Sequence, residues 1–349
     1  INENILTYQK EFGDHNISAV GGMTIQSNQL NKLYTSAYHF ATESLPSING
    51  GVVNGGSYNK TEDRMLSYIA RLTYDYKRKY MVQGVFRADG SSRFGKNNKY
   101  GYFPSISAGW VLTEEDFLAN NEVMNFLKLR ASWGQNGSLA ALSGYPYSTD
   151  MALKGLYPFG TGNYYFNAVA PSSMGNDKLK WETSEQINIG VDARFLKDRL
   201  ILGVDYFDKK TKDLLVNGTT PSLIVGGITS PMNAGNVNNK GLEFELGWRD
   251  HIGDFHYSLR ANLATLKNKV TYVDPSITRI NGVNFHTSTI TYFEEGYPVY
   301  YFRGYKFKGV NPETGNPTFY DLDDSGDLND GDLDYIGDAI PDFTYGITL

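Results

Sequence analysis

Apolar side chains recur at every second position in segment after segment of this chain, and a period of two admits little other than β-strands with one greasy and one polar face. Between Gln186 and Phe195, Ile187, Ile189, Val191, Ala193 and Phe195 share one face, while Gln186, Asn188, Asp192 and Arg194 share the other. Leu242, Phe244, Leu246 and Trp248 alternate with Glu243, Glu245 and Arg249 in the same way. Phe255, Tyr257, Leu259, Ala261 and Leu263 alternate with His256, Ser258, Arg260 and Asn262. The pattern returns over Tyr68 to Tyr76, Tyr80 to Ala88, Ile106 to Leu112, Leu127 to Trp133 and Leu200 to Tyr206. It makes roughly a dozen segments of about ten residues, the length of tilted strands that cross a bilayer.

Composition says where the greasy face goes. The chain carries 26 Tyr, 19 Phe and 4 Trp, and tyrosine favours boundaries where one end of the ring is apolar and the other wet. No stretch is long and apolar enough for a membrane helix, and mean hydropathy is −0.40, as barrel strands that offer lipid only alternate side chains would give. With 32 basic and 38 acidic side chains the net charge is −6, which argues against nucleic acid as a partner. There is no cysteine, so disulfide scaffolds and thiolate chemistry are excluded, and only five histidines remain for metal or acid–base work.

The connections fall into two classes. Residues 12–15, 76–79, 196–199 and 249–254 form tight turns, whereas 28–63, 89–102, 135–185 and 208–240 are expected to be long outer loops rich in Gly, Asn, Ser and Tyr. A membrane barrel has this asymmetry, with short periplasmic turns and long extracellular loops. A soluble all-β domain would also alternate, but with shorter and more uniform connections. Strand length, turn asymmetry and aromatics at strand ends (Tyr74, Tyr76, Tyr80, Trp110, Trp133) favour the barrel. Thr113 followed by Glu114, Glu115 and Asp116 predicts a short helix between Thr113 and Asn125. The start at Ile1 lacks signal-peptide features and the last residues look like mid-strand, so the chain reads as an excerpt of something longer.

Several ordered blocks carry a family resemblance. They are Arg87 to Gly95 (RADGSSRFG), Tyr100 to Ser105, Ala108 to Trp110 and Leu127 to Gly137 (LKLRASWGQNG), followed by Trp181-Glu182-Thr183, Asp205 to Leu215, Gly235 to Glu243 and Pro341 to Gly346. This sequence resembles the SusC/RagA family of TonB-dependent outer-membrane transporters of Bacteroidetes, over about residues 64 to 349. The resemblance implies an all-β fold, an internal segment of a transmembrane barrel of about 22 antiparallel strands around a plug, and residence in the cell outer membrane. It further implies import of a glycan or peptide, energised by the TonB complex through a plug domain not contained in these residues, with a SusD-like lipoprotein as lid. Plug, TonB box and the terminal strands of the barrel are not found in the chain, and the segment alone is expected neither to close nor to transport. The alternative of another class is a passive channel or surface glycan-binding barrel without energy coupling.

Two local constellations could carry binding chemistry. Asp321, Asp323, Ser325, Asp327 and Asp332, with Gly326 at the sixth place, occupy EF-hand-type positions 1, 3, 5, 7 and 12, so residues 321–332 are a candidate calcium loop. Its last ligand is Asp where EF-hands use Glu, and no flanking helices are evident; a solvated acidic loop is the alternative, but unpaired carboxylates at that density repel without a cation, which favours calcium. Tyr157, Tyr164, Tyr165 and Phe166 are candidate substrate contacts, since rings stack on sugar faces, although packing of the loop against its neighbours or the lid is the favoured account. No nucleophile elbow, zinc motif, dinucleotide fingerprint or P-loop is present, and no enzymatic activity is expected. Glu243 and Glu245 share one polar strand face beside Arg249 and Arg260, which suits a lumenal charge ladder better than a glycosidase pair.

Overall fold

The computed structural model describes every residue except 43, 45, 46, 119, 120, 143, 159, 161–164, 220–227 and 278. Its frame is one 12-stranded sheet. The strands are β1 (Asn2–Phe12), β2 (His15–Tyr38), β3 (Val52–Tyr76), β4 (Tyr80–Ser91), β5 (Tyr100–Val111), β6 (Met124–Ser138), β7 (Glu182–Phe195), β8 (Leu200–Thr219), β9 (Thr229–Ile252), β10 (Phe255–Thr265), β11 (Lys267–Val273) and β12 (Phe343–Thr348). Each pairs antiparallel with its sequence neighbour as far as β10. Beyond it, β11 continues alongside the upper part of β9, and β12 pairs with β10. The wall is thus a chain of hairpins, the up-and-down order of outer-membrane barrels.

Register puts the alternating residues where the period of two requires. Ala131, Ile189 and Tyr206 lie in one row, with Leu242 opposite Tyr206. On the other face of these strands Arg130, Gly190, Asp205 and Glu243 lie in line. The greasy face stays open: Leu6, Leu72, Ile106 and Ile189 are each more than half exposed. A continuous band of bare aliphatic side chains would be a severe liability in water and is what a lipid-facing wall needs.

Aromatic rings mark the lower limit of that band, beside the tight turns. Phe12 stacks on His15 at 5.2 Å, His15 meets Tyr76 at 4.8 Å, Tyr76 meets Tyr80 at 6.3 Å, and Tyr80 meets Trp110 at 6.2 Å. Glu115 gathers this rim from below, accepting hydrogen bonds from Tyr80 Oη (2.5 Å), Trp110 Nε1 (2.9 Å) and Lys79 Nζ (3.1 Å). That use of Glu115 bears on the helix expected from Thr113 to Asn125. The described residues there form only a 3-10 turn at Leu112–Glu114, followed by further three-residue turns closed by Leu118 N on Glu115 O and Asn121 N on Leu118 O. The acid that would favour a helix start is bound to the wall instead, and the Thr113 hydroxyl accepts from Leu127 N rather than capping.

The spans expected as long loops are partly strand. Within 28–63, β2 runs on to Tyr38 and β3 begins at Val52, while β1 stops pairing at Ile25 and β4 at Met65. A two-stranded ribbon therefore stands above its neighbours, about 40 Å long at ~3.3 Å per residue. Its Asn, Gln, Lys and Thr side chains gave no apolar alternation to read. Between 89 and 102 only 92–99 lie outside strands; 208–240 is largely covered by β8 and β9; and 135–185 contains a separate hairpin, Met151–Pro158 with Tyr165–Pro171. The long connection from β11 to β12 holds a small sheet of Ile280–Asn281, Thr291–Phe293, Tyr301–Tyr305 and Leu333–Gly337, packed around the buried Tyr301.

Candidate functional site

The residues that carry the family resemblance build a core at the outer mouth of the wall. Phe94 is fully buried and packs on Trp181 at 5.2 Å, and Trp181 meets Phe103 edge-on at 5.5 Å; Leu142, Leu179 and Leu215 complete the cluster. Four outer connections are thereby tied together. Trp181 Nε1 donates to Lys99 O at 3.1 Å, Arg93 donates to Asp63 at 3.0 Å and to Leu142 O at 2.9 Å, and Glu182 accepts from Leu215 N at 3.3 Å. Phe103 fits because its neighbours are glycines: a Cβ at Gly137 would stand 2.1 Å from its ring and one at Gly101 2.4 Å. The RADGSSRFG and WET blocks are therefore structural clamps that hold the mouth in shape.

Below the mouth, the inner face is charged. Arg130 of β6 donates to Asp192 of β7 at 3.0 and 3.2 Å and to Asp205 of β8 at 2.5 Å, bridging three strands. These groups line a half-open cavity of about 750 Å³ with Glu243, Glu245 and Arg260. The expected ladder of Glu243 and Glu245 with the neighbouring arginines is not formed: among the described residues neither glutamate has an ion pair, and Arg249 instead donates to Asp198 O at 2.9 Å. The pairing falls to Arg130, whose partners are distant in sequence. Its signal was its parity, a charge on the polar side of an apolar strand, but the sequence does not say which carboxylates stand opposite. Chemically this surface can hold polar cargo or a polar protein surface through carboxylates and guanidinium groups; it offers no nucleophile with an adjacent base.

The acidic loop draws its oxygens together. Carboxylate oxygens of Asp321, Asp323 and Asp332 lie within 4.8 Å of one another, and Asp332 is fully buried. Asp321 accepts from Gly326 N at 2.8 Å and Ser325 N at 3.2 Å, while Asp332 accepts from Leu322 N at 2.6 Å and Asn329 N at 2.8 Å. The Asn329 amide donates to Asp323 (3.1 Å), Ser325 Oγ (2.9 Å) and Asp327 O (3.2 Å), so three of the sequence-predicted ligand oxygens converge on one positively polarised nitrogen. Hydrogen bonds from Ser325 and Asn329 hold the Asp323 carboxyl below its ordinary value of 3.8. The loop closes in a 3-10 turn at Asp330–Asp332.

Of the candidate aromatic contacts, Tyr157 and Phe166 are direct cross-strand partners on the separate outer hairpin, each about three-fifths exposed. The Tyr165 backbone pairs with Pro158. Tyr164 lies outside the described residues.

Comparison with known proteins places this architecture. The family described as TonB dependent receptor-like, beta-barrel matches residues 3–345. TonB-dependent receptor P3 of Formosa agariphila is 35% identical over 99% of this chain, and TonB-dependent receptor SusC of Bacteroides thetaiotaomicron is 31% identical over 82% of it. The chain spans 36% and 30% of those two relatives, about a third of their length. The solved RagAB peptide transporter superposes with a TM-score of 0.84 over 99% of this chain and 38% of that one, at 21% identity, a likeness of fold. With its lipid-facing band, charged interior and clamped mouth, the chain belongs to the TonB-dependent receptor β-barrel family, as a SusC/RagA-type wall segment of the outer membrane.

Proposed function

We propose that this chain forms part of the wall of an importer that draws a nutrient oligomer, a glycan or a peptide, across the outer membrane with energy delivered through TonB, beneath a SusD-like lipoprotein lid. The observation that carries the reading is the two-sided wall itself. Bare aliphatic residues face outward, and Arg130, Asp192, Asp205, Glu243 and Glu245 face a half-open polar cavity, on a fold shared with the RagAB peptide transporter. The names of the relatives support energy coupling. The long ribbon of β2 and β3 and the hairpin bearing Tyr157 and Phe166 stand on the outer side, where a lid or a cargo would meet them. In this reading Tyr157, Tyr164, Tyr165 and Phe166 touch cargo.

The acidic loop belongs to the same reading as a structural calcium site, with Asp321, Asp323, Ser325, Asp327 and Asp332 as ligands. Support comes from the hard-oxygen set and from the convergence of three of its members on the Asn329 amide.

The test of import uses cells expressing the whole gene product, with labelled oligosaccharides and peptides offered outside. Uptake of one class that stops when TonB is deleted supports the importer. Uptake that continues at the same rate without TonB refutes energy coupling and leaves a passive channel.

A further inference from the structure

Four lysines stand in a patch just above the lipid-facing band, where cross-strand register places like charges side by side. Lys240 of β9 is directly opposite Lys267 of β11, and Lys269 follows opposite Asn238. Lys210 of β8 is the partner of Asn238 on the other side. Their parity is that of Leu242 and Tyr206, so all four extend the outward face beyond its last apolar residues, at the end away from the tight turns. All four are exposed, and among the described residues none forms an ion pair, although Asp208 stands directly opposite Lys240 and Glu185 directly opposite Lys210. Lys240 and Lys267 are like charges directly opposite on adjacent strands and repel, while Asp208, on the other side of Lys240, makes no ion-pair contact with it.

The surroundings narrow what the lysines meet. Asn238, Lys240, Lys267, Lys269 and Thr271 line a cavity of about 380 Å³. Asp338 and Asp342 stand on its far wall, and Asp208 lies beside Lys240 on β8. Asp338 is already engaged, accepting from Tyr335 Oη at 2.6 Å and Ile340 N at 3.0 Å. Directly below run Leu242, Leu263, Phe343 and Tyr345. Ammonium groups and hydrogen-bond donors around a cavity, continuous with an apolar wall beneath, match a molecule whose anionic head sits above its acyl chains.

We propose that this corner of the barrel binds a phosphate-bearing lipid of the outer leaflet, its phosphate held by Lys240, Lys267 and Lys269 with Lys210 alongside, and its acyl chains laid against Leu242, Leu263 and Tyr345. A free phosphate ion would use the lysines but not the wall below them. The lipid neutralises the opposed lysines and gives the wall a fixed neighbour at the outer rim.

The test measures binding of diphosphoryl lipid A, its dephosphorylated form and inorganic phosphate to the full-length protein in detergent, by native mass spectrometry and titration. Wild type is expected to retain diphosphoryl lipid A, more weakly as salt rises. A Lys240→Gln, Lys267→Gln, Lys269→Gln variant should lose roughly a hundredfold in affinity, from the usual contribution of each basic residue near an anionic surface. The corresponding Lys→Arg triple should stay within a few fold. Heat-dependent gel mobility reports whether each barrel is folded; should the triple Gln variant not fold, Lys267→Gln alone should lose about fivefold. Equal binding by the folded Gln variant overturns the proposal. So does equal binding of the dephosphorylated lipid, or full displacement of the lipid by millimolar inorganic phosphate.

Discussion

Replacing Arg130 with Met tests whether the charged interior is held by one cation. The guanidinium makes three charge-assisted hydrogen bonds, at 3.0 and 3.2 Å to Asp192 and 2.5 Å to Asp205. Such bonds contribute about 1.5–3 kcal/mol each when shielded. Here the side chains are 38%, 39% and 22% exposed, so water screens a large part of the attraction. The loss should exceed the ~0.2–1 kcal/mol of an exposed pair and fall short of the ~3–5 kcal/mol of a buried one. About 2 kcal/mol is expected, much of it from leaving Asp192 and Asp205 without the guanidinium that bridges them. The assay is urea unfolding of the full-length protein in detergent micelles, followed by tryptophan fluorescence and gel mobility. Adding Asp192→Asn and Asp205→Asn to Arg130→Met removes the stranded charges and should recover most of the loss, as uncharged replacements of whole ion clusters do. An Arg130→Met variant within about 0.5 kcal/mol of wild type, the range of an ordinary surface change, would refute the reasoning. So would a triple variant less stable than the single one.

Glu115 offers a pH signature. Hydrogen bonds from Tyr80, then Trp110 and Lys79, hold its carboxyl below the ordinary 4.5. Its contribution is therefore complete above that value and is lost as pH falls through the lowered one; Glu115→Gln should be less stable than wild type at pH 7, and thermal unfolding followed down a pH series should show the difference shrinking as pH falls through that lowered value. Calcium titrated into the full-length protein should release heat that an Asp321→Ala, Asp323→Ala variant lacks, and equal, negligible heats in both would remove the site. Replacing residues 29–62 by a two-residue turn should leave barrel assembly intact, because neither β1 nor β4 pairs with that part of the ribbon; heat-dependent gel mobility checks this, and loss of the folded form would show that the ribbon supports the wall.

Much of the wall was legible because lipid imposes a repeating demand at every second residue, so Ile187 to Phe195 or Leu242 to Trp248 announce strand and face together. Legibility ended where lipid ended. Asn28, Gln29, Asn31 and Lys32 extend β2 well past the bilayer, yet a strand in water on both faces carries no alternation. The helix expected after Thr113 failed because Glu115 answers to Tyr80 and Trp110 on other strands, a pull that local capping rules do not contain. The motif blocks gave the family, but the role of Phe94, Phe103 and Trp181 as a clamp depends on four outer connections meeting. The Arg130 bridge and the opposed Lys240 and Lys267 likewise depend on register, which places side by side residues tens of positions apart.

The stacked rings from Phe12 to Trp110 have a mechanical meaning for a wall of this kind. Rings lodged at the headgroup level resist displacement both into the oily interior and out toward the aqueous side, and Glu115 couples two of them to the adjoining turn. In the importer proposed above, a barrel moored along its inner lip would stay at a set depth while its contents were tugged from the periplasm. The pull would then be spent on the contents instead of dragging the vessel down with them.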